Sequence, residues 1–405
     1  MRRFLGMRAL VALLIAFLTA GHIAAAADLV VEADTLYLGN GQSYSPGVVV
    51  IRDGLVEAAG AAGEVTLPEG VERVQAAVAT PGLIDVRNVV GLAGAKNQPH
   101  DQDQLERSAA IQPELRAIDA YNPREQLVDW LREHGITTMH TGHGPGEIIS
   151  GQTMIVKTTG RTVDESVLEP SFALAASLGD AALHGHGRSS PGSRSKAVAM
   201  LRAALIGARE AMERDNGARD LGQEALIGVL NGEMPLLLEV HRHHDIITAL
   251  RLAEEFDLRL MLSGATEAYK VVDEILAAGV PVMLHPTMQR ARGAGRDHTS
   301  FTTASVLMQA GVPVAIQGGF ESYVPKARVV LFEAAMTLPY GASFEQALAS
   351  ITRHPAEILG IDDRVGTLEP GKHGDVALFD GDPFEYTTQV TGTVIEGRVV
   401  SRQPR

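Results

Sequence analysis

The residues best placed to do chemistry stand at the ends of short apolar runs. Arg87 and Asn88 follow Pro81-Gly82-Leu83-Ile84-Asp85, and His140 and His143 follow Ile136 to Met139. Glu239 and His241 close Leu236-Leu237-Leu238, Glu267 comes after Leu260-Met261-Leu262, and His285 comes directly after Val282-Met283-Leu284. Three chemistries are open to such a set. A guanidinium at Arg87, with Asn88 and His143 as further ligand-binding groups, suits a carboxylate or phosphate. The imidazoles and carboxylate of His143, Glu239, His241 and His285 suit zinc or a similar divalent ion. Glu239, Glu267 or His241 could instead serve a hydrolase as general base without metal.

Each residue also has a plainer reading. His140 falls inside a strand pattern and reads as a buried, hydrogen-bonded histidine. His243 and His244 precede a helix, and His184, His186 and His373 read as solvated loop residues. Lys157 is expected to face solvent or a carboxylate. Arg87 could bridge to Asp85 or Glu267 and hold structure only. Asp101, Asp103 and Glu106 read as a solvated acidic face, because Asp-Gln-Asp lacks the Gly and Glu of a calcium loop.

The elements that must position these residues follow from texture. Residues 28–80 are β-rich, with a hairpin expected at Asp53-Gly54. From 81 to 364, apolar strands alternate with amphipathic helices, and polar residues stand past the strand ends. Asn122-Pro123-Arg124-Glu125 reads as a helix start with Asn122 as cap, and Ser343-Phe344-Glu345-Gln346 has capping-box spacing. Asp245 can cap a helix running to Phe256, and a long helix is expected over about Ser195–Glu213. Residues 365–405 return to β character. Strand, loop and helix in repetition is the pattern of an α/β fold, a (β/α)8 TIM-type barrel, whose site is built by the loops after the strands.

Pro81-Gly82-Leu83-Ile84-Asp85 resembles the first barrel strand of the amidohydrolase superfamily. Gly366-Thr367-Leu368-Glu369-Pro370-Gly371-Lys372-His373-Gly374-Asp375 and the following Val376 to Asp380 resemble its C-terminal signature. Gly264 to Lys270 and Val240-His241-Arg242 are similar to its exported, imidazolonepropionase-related branch. The resemblance implies a barrel with a small composite β-sandwich made from the N- and C-terminal segments. It implies hydrolysis of a C–N bond, other than a peptide bond, in a small cyclic amide. It also implies a divalent metal held at several strand ends. Where the family's first strand continues into His-x-His, this chain has Arg87 and Val89. The strand-4 Lys position falls on Ala175, with Lys157 as the other candidate. The strand-5 ligand is His241, beside Glu239. The strand-6 histidine position is Gly264, and the strand-8 Asp position is Gly319, with no carboxylate before Glu321. By the family pattern no metal site is complete, since a catalytic zinc takes three protein ligands and water. A divalent ion would need the non-standard set His143, Glu239, His241 and His285. A barrel kept as a binding or scaffold protein is the competing expectation.

Composition narrows the setting. Arg2, Arg3 and Arg8, the apolar Ala9 to Ala20 and the small residues Ala24 to Ala27 read as a cleavable export signal over residues 1–27, so a periplasmic or secreted protein is expected. There is no cysteine, hence no disulfide and no thiolate ligand. The net charge of −14 argues against nucleic acid or an anionic membrane as partner. A small-molecule ligand or substrate is expected, and by analogy with the architecture a homo-oligomer.

Overall fold

Alternating and valine-rich segments near the N-terminus form strands β1 (Leu29–Tyr37), β2 (Ser43–Tyr44), β3 (Gly47–Arg52), β4 (Leu55–Ala61) and β5 (Glu72–Pro81). The middle of the chain supplies β6 (Leu83–Asn88), β7 (Ile136–Thr141), β8 (Ile149–Gln152), β9 (Met154–Lys157) and β10 (Val167–Glu169). It continues with β11 (Leu174–Ser177), β12 (Leu236–Val240), β13 (Leu260–Gly264), β14 (Val282–Leu284) and β15 (Val314–Ile316). The C-terminal segment adds β16 (Val376–Phe379), β17 (Val390–Ile395) and β18 (Arg398–Ser401). The structure is a computed structural model that describes residues 28–96, 98–183, 191–213, 219–288, 293, 295–320 and 329–405. The export signal, His184, His186 and Glu321 lie outside the described residues.

The two ends of the chain meet in one sheet of eight strands, ordered β18-β17-β16-β5-β1-β3-β4, with β2 on β1. The junction is antiparallel, with Val376 opposite Pro81 and Phe379 opposite Val78. The two-residue repeat sends Leu29, Val31 and Ala33 into one apolar cluster and Val30 into another with Val48 and Val50. The expected hairpin forms: Asp53 and Gly54 both have positive φ, 48° and 79°, and join β3 to β4.

The remaining strands form two further sheets, β10-β9-β7-β6 and β15-β14-β13-β12-β11-β8. From β11 to β15 every pairing is parallel. Parallel neighbours need a crossover, and helices His243–Phe256, Val272–Ala278 and Thr303–Gln309 supply it between β12 and β15. This is the expected α/β class. The two ladders are separate, yet backbone bonds join them at both margins. Thr153 N–H donates to Ala173 and Phe172 N–H to Thr153 at one, and Gly319 N–H donates to the Arg87 carbonyl at the other. Ile84, Ile155, Ala175, Leu237, Met261 and Met283 pack together with Val86 and Ala315, so seven strands contribute to one apolar cluster. Two residues further along, and therefore on the same face, stand Ser177, Glu239, Ser263, His285 and Gln317. A polar layer thus lies directly beyond an apolar one at the C-terminal ends of the strands.

Helix ends differ from the sequence reading in detail. The helix expected from Asn122 begins at Gln126, with Glu125 as cap accepting the Leu127 N–H. Asn122 instead accepts from Arg124 N–H, a local turn that competes with helix entry. The helix ending at Phe256 starts at His243, so Asp245 is inside its first turn and binds Arg194 rather than capping. The long helix spans Arg194–Met212 with Ser193 as cap, and Ser343 and Gln346 form the expected capping box.

Lys157 pairs with Asp375, and both side chains are 4% exposed. It stands opposite Thr138, at the end of β9 away from the polar layer. As the strand-4 Lys candidate it is therefore misplaced; it ties a central sheet to the chain-end sheet. Losing one partner of a buried pair strands the other charge. Lys157→Met should lower unfolding free energy by about 3–5 kcal/mol in denaturant titration. The double variant with Asp375→Leu should recover much of that loss.

Candidate active site

The mouth begins with a bulge in β6. Asp85 pairs with Met139 and Asn88 with Thr141, so Val86 and Arg87 together oppose His140. The extra residue re-aims the strand end and brings Arg87 toward the layer of Glu239 and His285. Arg87 is 6% exposed, and its guanidinium donates to the carbonyls of Asn88 (2.7 Å) and His143. Burial pulls its pKa down to about 10, against the opposing fields of Glu239 and Asp85. It forms neither of the two bridges expected from sequence; its hydrogen bonds go to backbone.

Asp85 is wholly buried and accepts from Gly318 N–H (2.8 Å), Asn88 Nδ2 (2.9 Å) and Arg87 N–H (3.2 Å). Burial pushes it up to about 7, although these bonds and Arg87 act the other way. It welds β6 to the end of β15. Asn88 is consumed in the same knot, its Oδ1 accepting from Val90 N–H.

Glu239 and His241 form a pair at the end of β12. Glu239 Oε1 is 3.1 Å from His241 Nε2, and Oε2 accepts from the Ser263 hydroxyl. His241 Nδ1 meets the Thr266 hydroxyl at 2.8 Å. Burial alone would raise the Glu239 pKa, but His241, Ser263 and Arg87 together hold it at about 2. Glu239 is a fixed carboxylate at neutral pH, with both oxygens engaged.

His285 donates Nδ1–H to the Pro286 carbonyl (2.6 Å), while its Nε2 has no hydrogen-bond partner among the described residues. Burial lowers its pKa to about 4. The ring lines a cavity of about 20 Å³ with Arg87, Glu239 and Gln317. A second cavity of about 10 Å³ lies between Arg87, Ser150, Ser177, Glu239 and Ser263. Each is at the scale of one water molecule.

The other sequence candidates lie apart from this cavity. His143 is buried, with both ring nitrogens unpartnered among the described residues, and it packs beside Gly151 of β8. Burial and the Arg87 charge lower its pKa to about 4. It contributes its carbonyl, not its ring, to the Arg87 site. Glu267 is 1% exposed, and its carboxylate is shared by His243 (backbone N–H at 3.0 Å, Nδ1 at 2.6 Å), Lys270 (3.1 Å) and His298. Only its backbone touches His241, through a 2.8 Å bond to the carbonyl. These partners outweigh burial and hold its pKa far below the usual range. His140 is the satisfied histidine expected of it, bound at 2.8 Å to the Val86 carbonyl and 2.7 Å to Thr153. His373 is 19% exposed on its side chain, less solvated than expected, beside Asp375 and Lys157. Ser263 and Gln317 escaped the sequence reading, although each sits at a strand end like Glu239.

Comparison with known proteins fits this architecture. The family model described as "Amidohydrolase family" matches residues 239–401. An amidohydrolase from Thermotoga maritima superposes with a TM-score of 0.87 at 25% identity, covering 93% of this chain and 100% of its own. In sequence over residues 239–401 and in fold over most of its length, the chain is similar to amidohydrolases. Among relatives, the imidazolonepropionase of Mesorhizobium japonicum is 21% identical over 82% of this chain and 86% of its own length. The amidohydrolase tasK of Hapsidospora irregularis is 23% identical over 75% of this chain, and that match spans 34% of tasK's length.

The superfamily's divalent metal does not fit the residues present. A guanidinium and the buried Val89 occupy the first two ligand positions. At Gly264, φ is +81° and an added Cβ would lie 2.6 Å from His241 Cε1 and 2.9 Å from Glu239 Oε1. At Gly319, φ is +72° and a Cβ would lie 2.7 Å from the Pro286 ring. Neither position can take a ligand side chain without displacing its neighbours. The non-standard set is not brought together either: His143 stands apart, and no group of three or more His, Asp or Glu among the described residues could hold an ion.

Two measurements test this geometry. Gly264→Ala combines left-handed strain with the collision against His241 and Glu239, so it should destabilise the fold by at least about 1–2 kcal/mol in thermal or denaturant unfolding. Stability should also depend on pH. His140, His143 and His285 have folded pKa values of about 3, 4 and 4 against 6.5 for a free imidazole, so their contribution is complete above 6.5 and is lost as pH falls toward 4. Asp85, raised from 3.8 to about 7, acts oppositely as the pH rises between those values. Three imidazoles outweigh one carboxyl, and each net proton is worth about 1.4 kcal/mol per pH unit. Melting temperature should therefore fall between pH 6.5 and 4 and level off above about 7.

Proposed function

We propose that this protein hydrolyses a non-peptide C–N bond of a small cyclic amide at the strand-end mouth, with Arg87, Glu239 and His241 standing where the superfamily keeps its metal. The observation that carries the reading is that Glu239, paired with His241, lines one cavity with the buried Arg87. A guanidinium can receive the negative charge that develops on an amide oxygen. Glu239, fixed in its charged form, balances Arg87 and orients His241. The relatives named imidazolonepropionase and amidohydrolase supply the bond class.

The same reading takes residues 81–364 as a (β/α)8 barrel flanked by a composite β-sandwich of residues 28–80 and 365–405. The apolar cluster fed by seven strands and the backbone bonds at both sheet margins support it. The N-terminal pattern supports export to the periplasm or beyond, and the acidic charge favours a small molecule over nucleic acid or membrane as partner.

A second reading, a non-catalytic binding barrel, is favoured by one observation: both Glu239 oxygens are engaged and the cavity is the size of a water. Purified protein, treated with a chelator, should be assayed against hydantoin, dihydrouracil and 2-pyrrolidinone. The proposal expects ring opening that survives chelation and falls at least about 100-fold in Glu239→Gln. Saturable binding without turnover would establish the second reading. Turnover only with added metal would overturn the metal-free site.

A further inference from the structure

We infer that His285 Nε2 is the proton acceptor of this mouth, taking a proton from a water held between itself, Glu239 and Arg87. The inference rests on the hydrolase reading above. Among the described residues, other titratable groups around Arg87 are already committed. Glu239 is engaged at both oxygens, His241 at both nitrogens, and Asp85 is enclosed by three N–H donors. His285 differs. Its Nδ1 faces a carbonyl, which can only accept, so the proton of the neutral ring sits on Nδ1. Nε2 then carries a bare lone pair, buried and without a partner among the described residues. A buried acceptor left unpaired is costly, and the ring borders a cavity with room for one water.

The cavity also supplies what such a water needs. In the proposed placement a remaining lone pair of Glu239 and His285 Nε2 accept its two hydrogens, and Arg87 donates toward its oxygen. Burial keeps the ring neutral across the physiological range, which leaves Nε2 free to accept. The step balances without a co-reactant. The water oxygen bonds to the amide carbon as its proton passes to Nε2. The tetrahedral oxyanion is held by Arg87. The C–N bond then breaks, and the departing nitrogen takes the proton back from the imidazolium, leaving a carboxylic acid and an amine.

The arrangement also favours one substrate class. A cyclic amide pairs a carbonyl with an adjacent N–H, and the mouth pairs a donor, Arg87, with the ionised acceptor Glu239. A substrate that carried its own carboxylate against Glu239 would meet like charge.

The test has two parts on the full mature protein. In ¹⁵N-labelled wild type, long-range histidine spectra should show the His285 ring protonated at Nδ1 and bare at Nε2 at pH 7. A ring protonated at Nε2 overturns the inference. In hydantoin turnover, His285→Gln should lose about 100-fold or more in kcat, with KM little changed, and should lose the acid limb that wild type shows near pH 4. Turnover in His285→Gln with the wild-type rate and pH profile removes His285 as base while leaving the hydrolase reading intact. If His285→Gln fails to fold, the wild-type spectra and the position of the wild-type acid limb still decide, and a limb absent near pH 4 counts against His285. Wild type without turnover of any probe removes the hydrolase reading and the base role with it.

Discussion

A guanidinium buried at the ends of parallel strands cannot be left alone, and much of the mouth is organised by that need. Moving such a charge out of water is expensive unless hydrogen bonds and opposite charge surround it. Arg87 receives two backbone carbonyls, from Asn88 and His143, and lies in the field of Glu239 and Asp85. The β6 bulge is what allows this, because a regular strand would send Val86 and Arg87 to opposite faces. The same charge contributes to keeping the nearby rings of His140 and His143 neutral and to holding Glu239 ionised. One substitution at a strand end thus propagates into the protonation state of its neighbours.

The substitutions at the other ligand positions are coupled to it through packing. Gly264 leaves the space that the His241 and Glu239 side chains fill, and Gly319 leaves the space of the Pro286 ring. Both glycines also hold left-handed backbone that a side chain would strain. The protein has not simply lost ligands from an otherwise intact metal cradle. The volume a metal and its ligands would need is distributed among a guanidinium, an imidazole–carboxylate pair and a proline.

Much of this is legible in the amino-acid sequence, for a physical reason. Strand ends announce themselves as apolar runs closed by polar residues, so Arg87, Glu239, His241 and His285 can be picked out and placed at one mouth. What such runs do not carry is which way a side chain points once past the strand. Glu267 follows β13 as Glu239 ends β12, yet it turns away to His243, Lys270 and His298, one of which lies thirty-one residues distant in sequence. His143 is close enough to Arg87 to lend its carbonyl, but its ring packs on β8. Placing Lys157 depends on β9 running antiparallel to β7, which puts its end at the opposite pole from the mouth. Asn122 carries a good capping signal, but its side chain finds a nearer N–H two residues on. In most of these cases the deciding contact is long-range or depends on strand direction, and single-residue patterns carry neither; at Asn122 two local bonds compete, and the pattern does not say which wins.

Replacing a divalent ion by a guanidinium changes which catalytic tasks the protein must perform for itself. Both can stabilise an oxyanion, and a fixed guanidinium does so without having to be captured from solution. Only the ion lowers the pKa of a bound water to about 7. Under the proposed hydrolysis, a mouth built on Arg87 must therefore deprotonate water by an unpaired base, and the strength of that base is limited by its burial. The ring of His285, lowered to about 4, stays ready to accept at neutral pH but pulls weakly. Raising its basicity would require a closer carboxylate, and Glu239 is already balancing Arg87 and His241. On the proposed reading the mildness of the acceptor comes chiefly from its burial, and slow turnover of already strained amide rings is the chemistry that reading expects.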